Sequence, residues 1–222
     1  MKIILVGASG TLGQAVASEL GQRHEIVRVG RSSGDLRVDI TDSASIRALF
    51  EQVGPFDALV SATGKVHFAP LAEMGEAEYA VGLKDKLMGQ VNLVLIGSRY
   101  ANDGASFTLT TGILSEEPIR QGSSATMVNA AVEGFVRSAA IELPRGQRIN
   151  AVSPNVLVES MAGYGPFFRG FTLIRCPRGS SMAALRTKPS TAALTMVAEL
   201  PWRIGSSLRM PVVRVKEAPS LA

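Results

Sequence analysis

Val6-Gly7-Ala8-Ser9-Gly10-Thr11-Leu12-Gly13 is the stretch whose reading decides the fold. It follows the apolar run Ile3-Ile4-Leu5-Val6 and precedes apolar residues at Leu12, Val16 and Leu20, a helical spacing. The glycines therefore sit on a tight turn between a buried strand and a helix. Glycine there lets backbone N–H groups approach a pyrophosphate with no Cβ in the way. The helix N-terminus adds unpaired donors and the positive end of its dipole. Gly7, Ser9, Gly10, Thr11, Leu12 and Gly13 are the candidate phosphate-binding residues. The spacing is Gly-x-x-Gly-x-x-Gly rather than Gly-x-Gly-x-x-Gly, so a plain strand-to-helix turn is the competing reading of the motif taken alone.

Downstream, Glu25 to Val29 reads as a second strand that ends in Gly30-Arg31-Ser32-Ser33-Gly34. In a dinucleotide fold this strand end faces the adenosine ribose, where an acid suits a 2′-hydroxyl and an Arg suits a 2′-phosphate. The acid is absent here, and Arg31 and Ser32 are the candidate phosphate partners; a solvated polar turn is the alternative. Leu36 to Asp39 predicts a short third strand, with Asp39 either facing an adenine amino group or capping a turn. Thr41-Asp42-Ser43 are capping residues for a helix with Ile46, Leu49, Phe50 and Val53 on one face. Phe56 to Val60 predicts a buried fourth strand. Ser61, Ala62 and Gly64 follow it and are small enough to let backbone lie against a cofactor. Lys65 and His67 then bring a cation and an imidazole to a strand end, where ligands bind in such folds.

The apolar stripe Leu83, Leu87, Val91, Val94 and Leu95 predicts helix through most of residues 76–100. Ser106 to Thr111 alternates as a fifth strand. A second long helix is predicted from Ser124 to Leu143, closed by Pro144, and Arg148 to Val152 is a sixth strand. Strands alternate with helices from Lys2 to Pro154. That order implies an α/β protein with a single doubly wound, Rossmann-like parallel sheet and helices on both faces.

The bulk properties agree. The chain has 222 residues, 46% of them hydrophobic and 19% charged, enough apolar side chain for one compact domain. Nine Lys or Arg face two Glu after Pro166, so the body is slightly acidic and the tail basic, within a net charge of +4. No nucleic-acid motif accompanies that tail. Cys176 is the single cysteine, which excludes an intrachain disulfide, offers no metal cluster and fits the cytoplasm. No apolar run approaches membrane-spanning length, so no membrane partner is expected.

Taken together, these segments resemble the short-chain dehydrogenase/reductase family over about residues 1–163. The Gly7 to Gly13 turn resembles that family's cofactor loop. Asp39-Ile40-Thr41 resembles its Asp-Val-Thr at the adenine, and Ser61-Ala62-Thr63-Gly64 stands where it has Asn-Asn-Ala-Gly. Ala130 to Phe135 resembles the helix that runs on from its catalytic lysine. Arg148 to Pro154 is similar to its Arg-Val-Asn-x-Val-x-Pro strand.

The resemblance breaks at the proton donor. The family's Tyr-x-x-x-Lys falls on Ala125 and Asn129; its supporting Asn falls near Lys86 and its Ser near Thr111. Ala125 has no proton to give, and Asn129 can hydrogen-bond a ribose but carries no charge. A substitute would come from Lys65, His67, Lys86, Thr111 or Tyr164, of which Thr111, Lys86, Lys65 and His67 are the catalytic candidates. The chain also lacks the family's closing turn motif after Phe171. Residues 1–170 are expected to form the cofactor domain. Residues 171–222 are expected to be a divergent, poorly packed segment of the same domain, either a substrate lid or oligomer contact or a shifted reading frame. Pro211 to Val215 is read as a seventh, edge strand.

The resemblance implies an NAD(P)-dependent oxidoreductase that moves hydride to or from a small carbonyl or alcohol, and Arg31 with the missing acid at that strand end leads to the expectation that NADP(H) is preferred over NAD(H). A non-catalytic NADP(H)-binding redox sensor or partner-binding subunit is the alternative. A homo-oligomer is compatible with either, and no metal is expected.

Overall fold

In the computed structural model the described residues are 1–157 and the backbone of two short strands, 173–174 and 213–214. Tyr164, Cys176 and the expected packing of residues 171–222 otherwise lie outside them.

The elements run β1 (Lys2–Val6), α1 (Thr11–Leu20), β2 (Glu25–Gly30), β3 (Leu36–Arg37), α2 (Ser43–Val53) and β4 (Phe56–Ser61). They continue with α3 (Glu76–Gly82), a π-helical stretch (Leu83–Gly89), α4 (Gln90–Gly97), β5 (Ala101–Thr110), α5 (Ser123–Glu142) and β6 (Arg148–Ser153). The remaining strands are β7 (Val156–Leu157), β8 (Leu173–Ile174) and β9 (Val213–Arg214). The main sheet has the order β3-β2-β1-β4-β5-β6-β9, and every pairing in it is parallel. This is the doubly wound sheet that the alternation of elements implied, with β9 at the edge where the seventh strand was expected.

The period-two geometry of β1 sorts its side chains between two cores. Ile3 and Leu5 pack with Val16, Ala17 and Leu20 of α1 and with Ala58 and Val60 of β4. Ile4 and Val6 point the other way, into a larger core with α2, α4 and α5. Phe50, Phe56 and Phe107 are fully buried there. Each such side chain contributes roughly 1.5–3 kcal/mol through burial. Phe50 stacks on both Phe56 and Tyr100. The Asp42 side chain accepts the Ala44 N–H at 2.8 Å and caps α2, as its place before the apolar face implied.

The long helix differs from its expected stripe. Val91 and Val94 are buried, but Leu83 is 38% and Leu95 52% exposed, while Leu93 is fully buried. The π-helical turn between α3 and α4 is the physical reason. It takes more residues per turn than an α-helix, so the apolar face changes phase across it. Asp85 and Lys86 lie in this turn, and the buried Gln90 directly follows it. Two strand ends also moved: β3 stops at Arg37, and β5 starts five residues before Ser106, at Ala101.

Candidate active site

The site lies at the C-terminal ends of β1, β2, β4 and β5. Gly7, at φ +85°, follows β1, and its N–H donates to Val29 O of β2 at 2.8 Å. A Cβ on Gly7 would lie 2.5 Å from Ala62 O, just past β4. The turn is thus pinned between two strand ends, and only glycine fits. Helix α1 begins at Thr11 with Gly10 as its N-cap and no side-chain cap. The first-turn N–H groups of Thr11, Leu12 and Gly13 therefore have no side-chain acceptor, the arrangement that receives a phosphate. Beside this turn is a cavity of about 450 Å³ whose lining includes Ser9, Gln14, Arg28, Ser33 and Asp35.

Arg31 extends from the end of β2 toward two carboxylates. Its Nη2 lies 3.1 Å from Asp39 Oδ1 and 3.8 Å from Asp85 Oδ2. Asp39 Oδ1 also accepts the Thr41 hydroxyl at 2.7 Å and the Thr41 N–H at 2.9 Å. These Thr41 bonds, more than Arg31, hold its carboxyl below the usual aspartate value. Ser32 is exposed.

At the other end of the crevice, Lys86 donates from Nζ to Thr111 O at 2.9 Å. Its stem crosses Gly64, where a Cβ would lie 2.6 Å from Lys86 Cγ. Desolvation lowers the Lys86 pKa to about 8. Gln90, fully buried, ties this stretch to β5: its Nε2 donates to Thr110 O at 3.0 Å and to Lys86 O at 3.1 Å, and its Oε1 accepts the Thr110 N–H at 3.0 Å. The Thr111 hydroxyl points to Val152 O at 3.4 Å, so its carbonyl, not its hydroxyl, meets Lys86. Ala125 is buried beside Leu114, with Val66, Phe68, Ile113 and Ile119 packed around them. Asn129 Nδ2 donates to Gly112 O at 3.3 Å, while its buried Oδ1 has no partner.

The structure thus brings Lys86 and Thr111 together and leaves Lys65 and His67 exposed. The main chain of Lys65 does take part, since its N–H donates to Asp85 Oδ1 at 2.7 Å. Sequence reasoning missed Asp85, Gln90 and Arg28. Gln90 falls on the apolar stripe, where a polar residue is the signal, whereas Asp85 falls on the opposite face of an uninterrupted helix and carried none. It also missed Tyr79, whose hydroxyl donates to Ser123 Oγ at 3.0 Å, two residues before Ala125. Among the described residues no cluster of His, Cys, Asp and Glu could hold a metal, and no helix is long and apolar enough to cross a membrane.

Residues 3–172 match the family described as Enoyl-(Acyl carrier protein) reductase. The chain belongs to the short-chain dehydrogenase/reductase family. By that membership it is an NAD(P)-dependent short-chain oxidoreductase. This short-chain dehydrogenase/reductase is 56% identical to the crystallised protein lin1944 from Listeria innocua, over 79% of this chain and 88% of that one, with a TM-score of 0.78. It is 27% identical to a small-chain dehydrogenase crystallised in complex with NADPH, over 73% of this chain and 74% of that one, with a TM-score of 0.67. It is also 26% identical to the tetrahydroxynaphthalene reductase PfmaG of Pestalotiopsis fici, over 72% of this chain and 67% of that protein.

A dinucleotide fits the residues present. The uncapped α1 offers anion donors, Gly7 leaves no Cβ beside the turn, and the orphaned Asn129 Oδ1 is an acceptor suited to a ribose hydroxyl.

Proposed function

We propose that this protein is a cytoplasmic reductase that prefers NADP(H) to NAD(H) and acts on a small carbonyl or alcohol, with Lys86 in place of the missing tyrosine. The observation that carries this reading is the desolvated Lys86 amine, aimed at Thr111 O and lowered to a pKa of about 8. Gly7, Gly10, Thr11, Leu12, Gly13 and Ser9 would hold the pyrophosphate. Arg31 and Ser32 would meet the 2′-phosphate, and Asp39 the adenine. Ser61, Ala62 and Gly64 would line the ring side, and Asn129 would accept from a ribose hydroxyl. A bound nicotinamide supplies hydride chemistry.

The chain's own task is the proton. An ammonium has three N–H donors. The Thr111 carbonyl takes one and keeps Nζ in place. Another would meet the oxygen of the substrate carbonyl. As that oxygen becomes an alkoxide, an N–H bond of Lys86 breaks, its electron pair stays on nitrogen, and the proton forms the alcohol O–H. Solvent then reprotonates the amine. A donor with a pKa near 8 is mostly protonated at neutral pH and releases its proton more readily than an ordinary lysine. Val66, Phe68 and Leu114 would hold the apolar part of a small substrate and exclude water.

The test is NADPH oxidation over a panel of aldehydes and ketones, with wild type, Lys86→Ala, Lys65→Ala and His67→Ala. Turnover should fall for Lys86→Ala alone, with NADPH affinity retained. Loss in Lys65→Ala or His67→Ala instead would move the donor to the exposed pair. Ala125 and Asn129 favour a second reading, a cofactor-binding subunit without turnover; NADPH binding with no oxidation across the panel would select it. Residues 171–222 are proposed to belong to the same domain.

A further inference from the structure

Asp85 is 8% exposed, and both of its oxygens are committed. Oδ1 accepts the Lys65 N–H at 2.7 Å, and Oδ2 faces Arg31 Nη2 at 3.8 Å. The same nitrogen lies 3.1 Å from Asp39. One guanidinium thus joins the loop after β3 to the π-helical stretch after β4, across the rim of the crevice at the end of β2. Of the two carboxylates, Asp39 is already satisfied by both donors of Thr41 and is 44% exposed along its side chain, so solvent screens it. The Asp85 side chain is 11% exposed, so its charge acts on Arg31 through a drier medium. An anion that approaches Arg31 Nη2 meets both carboxylates there, and Asp85 is the less screened of the two.

We propose that Asp85 is a specificity-determining residue: its buried carboxylate competes with a cofactor 2′-phosphate for the Arg31 guanidinium and so limits how strongly the protein separates NADP(H) from NAD(H). The proposal rests on the reading that Arg31 receives that phosphate. The two can be separated because they concern different residues. Arg31 creates the discrimination, and Asp85 subtracts from it. Asp85→Asn removes the charge but keeps an oxygen for the Lys65 N–H, so the loop after β4 retains its anchor.

The experiment is calorimetric titration of the full chain with 2′,5′-ADP and with 5′-ADP, for wild type, Asp85→Asn, Arg31→Ala and the double variant. Asp85→Asn should tighten 2′,5′-ADP by about two- to fivefold, the worth of a partly exposed ion pair, and leave 5′-ADP unchanged. The gain should vanish in the Arg31→Ala background. A gain that persists there is a through-space effect of charge alone and overturns the proposal, as does an equal change for both ligands or no change. Unchanged 5′-ADP binding also reports that the variant is folded; should it be lost, Asp85→Ser supplies the same comparison with a shorter acceptor. If wild type binds the two ligands equally, the NADP(H) preference falls. A 2′-selective gain in Asp85→Asn would then still support the role of Asp85, and its absence would overturn both.

Discussion

The Lys86 amine donates to the Thr111 carbonyl at 2.9 Å and joins the π-helical stretch to the end of β5. The bond places a cation against the strand end where the family's serine would stand. It uses the backbone of Thr111 rather than its hydroxyl, so the threonine's side-chain chemistry is not what the contact requires. Gly64 makes room for it, since any Cβ there would collide with the lysine stem.

Replacing Lys86 should lower turnover by about 10²–10⁴-fold, the usual worth of a positioned acid, while the NADPH dissociation constant stays the same. The sign of the pH dependence follows from the direction of the shift. The proposed donor is the protonated amine, so carbonyl reduction should be constant below about pH 8 and fall above it. Pre-steady-state rates from pH 6 to 10 check this, and a wild-type profile flat through pH 9 would remove Lys86 from the role.

Stability should follow pH in the opposite sense. The folded pKa of Lys86 is about 8 and the unfolded value is that of an ordinary lysine. Between the two the unfolded chain binds more protons, so stability rises with pH across that window. Urea midpoints of wild type should increase from pH 8 to 10 more steeply than those of Lys86→Met. Parallel slopes would show that the amine is not desolvated.

Gly64→Ala should act as a weaker copy of the Lys86 variants. Gly64 holds φ +143°, and the new methyl would press on Lys86 Cβ, Cγ and Cδ. The amine should leave Thr111 O, and turnover should fall at least tenfold, with a stability loss of about 1–3 kcal/mol for the strained backbone. Kinetics and thermal melts read both; full activity would mean that the lysine position is not tightly constrained.

Asn129→Leu should weaken NADPH binding by about tenfold, since it removes the orphaned Oδ1 as an acceptor and deprives Gly112 O of its donor. Binding should be compared with a melt to separate the cofactor loss from any loss of fold. Unchanged affinity would detach Asn129 from the ribose.

Arg31→Ala should reduce NADPH affinity by about tenfold or more and leave NADH affinity unaltered, as loss of a charge-assisted bond to phosphate requires. Fluorescence titration of both cofactors decides it, and an equal loss for the two would sink the assignment.

Local pattern was enough for the sheet and for the glycine turn. Ile3 to Val6 is apolar at every position because a central parallel strand is covered on both faces. Gly7 and Gly13 are near neighbours in the chain, so their spacing was readable before any distant segment arrived. The capping Asp42 and the apolar face of α2 are likewise local. The absence of a tyrosine at Ala125 could also be read directly. Which of the candidates Thr111, Lys86, Lys65 and His67 come together could not, because they meet only after right-handed crossovers stack the strand ends. Lys86 and Thr111 are 25 residues apart, and Arg31 meets Asp85 from the end of a different strand. A π-helical turn changes the phase of the long helix, so a 3.6-residue period carried across it misassigns the face of Leu83, before the buried Val91 and Val94 of α4. The sequence by itself determined the order of elements and the glycine turn, since both depend on short-range pattern. Only the tertiary structure decided which charges face the crevice, since that depends on how helix phase and strand register combine across the sheet.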